Sequence, residues 1–145
     1  MKKFFFLLLI VTLAACSTKT TQEHSTIFET SKGMQSAPYA EGIAWWQSLS
    51  SDYSQIQMQE YGMTDAGIPL HTVTLSKEGM KLPDIFKTDK TIILINNAIH
   101  PGEPDGVDAS MMLYRNLANT NSTLLDSCIL VCIPYYNIGG ALNRN

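Results

Sequence analysis

The sequence predicts an α/β fold, a mixed sheet with flanking helices. Three observations lead there. Two short continuous apolar runs, Thr91 to Ile95 (TIILI) and Cys128 to Ile133 (CILVCI), have the length and β-branched content of strands buried on both faces. Between them Val107, Met111, Tyr114 and Leu117 recur at helical spacing, with Ala118 beside them. Ahead of them lie two alternating segments on either side of a turn-rich stretch, the pattern of a hairpin.

The elements follow in chain order. Lys2 and Lys3 precede an apolar stretch from Phe4 to Ala15, broken only by Thr12, and Cys16 comes next. A basic start, a short apolar run and small residues make a secretory signal peptide over residues 1–15. Leu13-Ala14-Ala15-Cys16 also resembles the lipobox of bacterial lipoproteins, which implies cleavage before Cys16 and lipid on its thiol. Several acyl chains on one residue anchor stably, whereas one chain binds only marginally. The expected location is therefore exported and lipid-anchored to the cell envelope, periplasmic or outer-membrane. Eight of the 15 residues from Ser17 to Ser31 are Ser or Thr, so residues 16–36 read as a lipidated Cys and a tether, with His24 solvated.

Pro38 suits a first helical turn, and Tyr39, Ile43, Trp46 and Leu49 form an apolar stripe behind it. Gln55 to Tyr61 alternates weakly, and Gly62 to Pro69 is rich in turn residues. Leu70 to Leu75 is the partner strand, with Val73 and Leu75 on one face. Residues 76–90 read as a polar connection. Pro104 and Asp105 open the second helix, where Asp105 or Asp108 suits the helix dipole. Strand, helix and strand over about 40 residues predict a parallel unit with a right-handed crossover.

Composition narrows the function classes. The 145 residues carry a net charge of −3, with 45% hydrophobic and 16% charged residues. Loss of residues 1–15 leaves 130 residues with a net charge of −5. Without a basic excess, nucleic acid is not an expected partner. No apolar run reaches the ~20 residues of a membrane-spanning helix. Cys128 and Cys132, four apart on one strand, would stand about 13 Å from each other, too far for a disulfide. They read as small buried apolar side chains rather than a redox or zinc-ribbon pair.

The chemistry concentrates between the first buried strand and its helix, in Asn97-Ala-Ile-His-Pro-Gly-Glu-Pro-Asp-Gly106. Ligands of open α/β sheets bind outside the carboxyl ends of strands, which is where His100 and Glu103 fall. Pro101 and Gly102 allow the tight turn between them. An imidazole and a carboxylate three residues apart can face one ion. Zinc accepts both donor types and, in catalytic sites, keeps three protein ligands and one water. An HxxE pair on its own is equally a surface His and a helix-start Glu.

The stretch IILINNAIHPGEPDGVDASMMLYRNLA resembles the zinc-binding segment of zinc metallocarboxypeptidases. Tyr39 to Leu49 is similar to an early helix of that family, Tyr61 to Leu70 to its hairpin loop, and Ile133 to Gly140 to a strand ending in Asn-Pro-Asp-Gly. The resemblance covers roughly residues 37–145. It implies a zinc carboxypeptidase-like fold of which the N-terminal half is present, a Zn2+ cofactor held by His100 and Glu103, and hydrolysis of peptide bonds at or near the C-terminus of a peptide substrate. It also implies that the third ligand His, the catalytic Glu and the substrate-gripping arginines lie beyond Asn145, so that the 145 residues are inactive alone.

The sequence departs from the family pattern in places. Gly102 stands where digestive members often carry an Arg, and Asn137-Ile138-Gly139-Gly140 differs from Asn-Pro-Asp-Gly. Arg144 follows Asn137 too closely to take over a substrate-binding role. His71, mid-strand in PLHTVTL, reads as a structural or surface residue rather than a third ligand. Two other readings stand beside this one. One is a zinc deacylase similar to succinylglutamate desuccinylase or aspartoacylase, which also uses HxxE but usually with Gly where this chain has Ile99. The other is a non-catalytic lipid-tethered binding module.

Overall fold

The computed structural model describes residues 24–100 and 102–143. The signal peptide expected over residues 1–15, and Cys16, lie outside the described residues. Among the described residues five α-helices, α1 (Ile27–Thr30), α2 (Tyr39–Asp52), α3 (Leu82–Ile85), α4 (Asp105–Asn119) and α5 (Ile138–Leu142), and one 3-10 helix (Thr123–Asp126) accompany four strands, β1 (Ile56–Met63), β2 (Pro69–Leu75), β3 (Thr91–Asn96) and β4 (Cys128–Ile133). The strands form one sheet in the order β1-β2-β4-β3. β1 pairs antiparallel with β2, and β2 antiparallel with β4. β3 runs parallel to β4, as the strand-helix-strand pattern predicts. The sheet is therefore mixed.

The hairpin has a local cause. The Thr64 hydroxyl and amide both donate to Ile68 O, at 2.7 and 3.0 Å, and Gly67 takes φ +70°. That backbone angle is open to glycine without steric cost. Ile56 then faces Leu75 and Met58 faces Val73 across the pair. In α2 the buried residues are Tyr39, Ile43, Trp46 and Leu49, the predicted stripe, together with Gly42. In α4 they include Val107, Met111, Tyr114 and Ala118.

These stripes meet over one face of the sheet. Trp46 and Tyr114 stack edge to face with ring centroids 5.1 Å apart, and both are fully buried. Such a pair adds about 1 kcal/mol beyond the area it buries. α2 and α4 lie side by side and run the same way. Ala37 N–H reaches Asp108 Oδ1 at 3.5 Å at their starts, and Tyr53 donates to Asn119 at their ends. On the other face Ile85 of α3 packs with Ile129 and Val131. Cys128 and Cys132 are free thiols, the second one buried. No helix among the described residues is long and apolar enough to cross a membrane.

Two expectations are corrected. TIILI is not buried on both faces. β3 lies at the sheet's edge, with Ile92, Ile93 and Leu94 at 37, 39 and 62% exposure. β4 has a strand on each side and is buried, whereas β3 has one neighbour. Continuous apolar character reports what a strand could bury and carries no record of its place in the sheet.

The second correction concerns the polar segment after Ser17. Residues 24–27 are packed rather than part of a solvated tether, and His24 is 5% exposed, whereas residues 28–30 and 32–35 are exposed. The imidazole Nε2 lies 2.9 Å from Asp52 Oδ2, and the ring touches Trp45 and Tyr53. Thr26 caps α1 in a reciprocal box with Glu29. Arg115 of α4 clamps the segment, donating to Glu29 Oε2 at 2.6 Å, Glu29 Oε1 at 2.8 Å and the His24 carbonyl at 2.9 Å. A count of Ser and Thr registers polarity and misses polar partners 86 and 91 residues away.

Candidate metal centre

The site grows from the carboxyl ends of the two parallel strands. β3 stops at Asn96, and the next three residues are bonded to the exit of β4. Asn97 N–H donates to Ile133 O at 3.0 Å, Tyr136 N–H to Asn97 O at 2.9 Å and Asn137 N–H to Ala98 O at 3.1 Å. Asn137 Nδ2 donates to Ile99 O at 3.3 Å, and Asn137 Oδ1 caps α5 by accepting from Gly140 N–H at 2.9 Å. Ala98 takes φ +51°. A non-glycine residue in this region carries strain of about 1 kcal/mol, which the flanking hydrogen bonds hold in place.

A second layer lies beneath. The buried Asn97 amide donates to Ser110 Oγ at 2.5 Å and to Cys132 Sγ at 3.3 Å. Burial pushes the Cys132 thiol up to about 12, so the sulfur stays protonated. Ser110 in turn donates to Gly106 O at 2.5 Å. Gly106 allows the approach, because a Cβ there would lie 2.7 Å from Asn97 Oδ1. The first turn of α4 is thereby joined to the end of β3.

On this support the chain turns, with Glu103 N–H donating to His100 O at 3.2 Å. His100 Nδ1 and Glu103 Oε2 come within 3.2 Å of each other, and both side chains are exposed. The two residues chosen from the sequence are therefore brought together at the predicted end of the sheet. A cleft of about 410 Å³ runs from Asn96 to Gly106 past both of them. A second, also about 410 Å³, is lined by Thr64, Asp65, Leu70, Tyr136, Asn137 and Ile138. Ile99 lines both clefts, so they adjoin.

A separation of 3.2 Å between an imidazole nitrogen and a carboxylate oxygen matches two ligands about 2 Å from one tetrahedral ion. The donors thus fit two corners of a zinc site. Among the described residues no group of three or more His, Cys, Asp or Glu side chains is placed to hold a metal. His71 does not join them. It is buried on β2, with Nε2 3.5 Å from Glu60 Oε1 across the hairpin.

Asn97 and Ser110 were not singled out in the sequence. An Asn just after an apolar strand, followed by Gly106 and Ser110 one helical turn apart, is the local trace they leave.

The fold is similar to part of the metallocarboxypeptidase fold. Among solved structures, bovine thrombin-activatable fibrinolysis inhibitor in complex with tick carboxypeptidase inhibitor matches with a TM-score of 0.62 and 17% identity, over 74% of this chain and 33% of that one. The metallo-carboxypeptidase of Burkholderia cenocepacia matches with a TM-score of 0.55 and 22% identity, over 71% of this chain and 28% of that one. A further structure of thrombin-activatable fibrinolysis inhibitor matches with a TM-score of 0.58 and 18% identity, over 72% and 26%. The chain thus spans about a quarter to a third of the length of these structures. No protein-family model and no curated protein matches the sequence.

Proposed function

We propose that the chain supplies the N-terminal part of a zinc-dependent metallocarboxypeptidase, exported and lipid-anchored through Cys16, with His100 and Glu103 as two of its metal ligands. The observation that carries this reading is the convergence of His100 Nδ1 and Glu103 Oε2 at 3.2 Å, at the carboxyl end of a parallel strand in a carboxypeptidase-like sheet.

A bound zinc ion supplies Lewis acidity and an activated water for peptide hydrolysis. The residues of this chain hold and orient. His100 and Glu103 offer one nitrogen and one oxygen donor. Asn97, Ser110 and Asn137 fix the backbone from which both project. Ile99, Leu70 and Tyr136 give the adjoining cleft apolar and aromatic walls against which a peptide side chain can lie. A catalytic carboxylate and a third ligand belong to residues other than these.

Two ligands hold zinc weakly, so the 145-residue chain is expected to bind the ion with low affinity and to release no amino acid from peptide C-termini. Calorimetric zinc titration of the wild-type chain and of His100→Ala tests the assignment. Heat of binding that disappears in the variant supports it, and equal binding by both overturns it. Robust zinc-dependent release of C-terminal residues by the purified chain would contradict the division of ligands.

A further inference from the structure

The ladder between β3 and β4 shows which backbone groups β3 leaves over. Thr91 N–H donates to Ser127 O at 2.9 Å, and Asn97 N–H donates to Ile133 O at 3.0 Å. In a parallel pair successive residues turn their N–H and C=O alternately to one side and the other. Residues 91, 93, 95 and 97 therefore face β4. Ile92, Leu94 and Asn96 turn theirs to the open edge, three donors and three acceptors in one row. The side chains beside that row are apolar on both faces of the sheet. Ile92 and Leu94 line a groove with Phe86, which is 71% exposed, and Ile93 points the other way. No charged residue lies between Thr91 and Asn96. Lys90, just before them, is held by Glu78 Oε1 at 2.6 Å and Leu125 O at 2.9 Å.

A second copy of the same row complements it. Let two β3 strands run antiparallel about a two-fold axis at Leu94. Ile92 of each copy then meets Asn96 of the other, and Leu94 meets Leu94. Every outward donor finds an outward acceptor, six hydrogen bonds in all. An axis at Ile93 or Ile95 leaves one outward residue of each copy unpaired and makes only four. Directly opposed residues share a face, so the two grooves adjoin, and no like charges meet within the strands. The exposed parts of Phe86, Ile92, Ile93 and Leu94, with the strand backbone, offer on the order of 500 Å² per copy. The pair thus buries about 1,000 Å², the lower bound of a specific interface.

The opposite edge of the sheet differs. β1 carries Gln57, Gln59 and Glu60, and its register shifts between Tyr61 and Met63. Polar side chains and a bulge blunt an edge. A two-fold pairing at β3 therefore closes at two copies. We propose that two copies of this chain join through β3, antiparallel and centred on Leu94, into one sheet of order β1-β2-β4-β3-β3-β4-β2-β1. His100 and Glu103 take no part in the contact, so this inference stands apart from the reading of the metal centre.

Two measurements test this, both with a chelator present so that no metal ion bridges two copies. The first uses the unsubstituted chain. Sedimentation equilibrium should give twice the chain mass as concentration rises. Hydrogen exchange at the Ile92, Leu94 and Asn96 amides should slow about tenfold over the same range, the slowing expected when an exposed strand edge becomes paired. A single-copy mass at every concentration, larger assemblies, or unchanged exchange at these three amides overturns the proposal. The second measurement reads the register by oxidative crosslinking in a Cys16→Ser, Cys128→Ser background. Leu94→Cys sets two thiols opposite each other, with Cα atoms about 5.5 Å apart, within disulfide reach. Ile92→Cys sets them about 13 Å apart, beyond it. Both positions are exposed, so neither variant should shift the unfolding midpoint. Crosslinking at least about tenfold faster through position 94 than through position 92 is expected. Equal rates, or the reverse order, overturn the pairing.

Discussion

At Glu29 the hydrogen bonds from Arg115, helped by those from Thr26, outweigh burial and bring the carboxyl down to about 2 from its ordinary value of 4.5. The folded-state value lies below the unfolded one, so the pair stabilises the fold above about pH 4.5, and that contribution is lost as pH falls through about 2. The shift corresponds to about 3 kcal/mol, and solvent screening of a carboxylate that is a third exposed reduces this to about 2 kcal/mol. Glu29→Gln is expected to lower unfolding stability by that amount at pH 7, with the two proteins converging near pH 2 in urea titrations. Arg115→Met removes the same pair and also the bond to the His24 carbonyl, so it should cost more. None of this is legible in the sequence, because the partners lie more than 80 residues apart in the chain. His100 and Glu103 are legible because turn chemistry places residues three apart side by side, whatever the rest of the fold does. Their supports, Asn97 and Ser110, depend on tertiary approach and leave only a glycine as a trace.

At the scale of the elements, α2 is held close against Tyr135. A Cβ at Gly42 would collide with the Tyr135 ring, whose hydroxyl donates to Ala37 O at 3.2 Å. The ring is rigid and buried, so it cannot yield as a flexible side chain would. Gly42→Ala should therefore destabilise by about 2 kcal/mol despite the better helix propensity of alanine, measured as a lower midpoint in thermal or urea unfolding. Tyr135→Phe in the same background should recover part of the loss. Helical and alternating periodicities make α2, α4 and the β1–β2 hairpin legible, since each buries one face and repeats the pattern several times. α1, α3 and α5 run only four or five residues, too short to repeat any period. Their local signals, the Thr26–Glu29 box, Pro83 and the Asn137 cap, mark where a helix can start and say nothing of its length or packing.

For the whole molecule, the open side of the sheet matters most. β3 exposes Leu94 at its edge, beside an apolar groove of about 240 Å³ lined by Ile85, Phe86, Ile92 and Val131 among others, and it carries no charge or proline. Edges of this kind invite pairing with other strands. The 145-residue chain is expected to associate with rising concentration in sedimentation velocity. Leu94→Lys should suppress that association while changing unfolding stability by less than about 0.5 kcal/mol. The clamp has a consequence in time. Its bonds span 86 and 91 residues, and α4 must be made before Arg115 can close them. Loop closure over such a span comes late in folding. Residues 24–29 thus find their places only after Arg115 has been made. A chain threaded across a membrane from its N-terminus would stay unlatched until most of its length had passed.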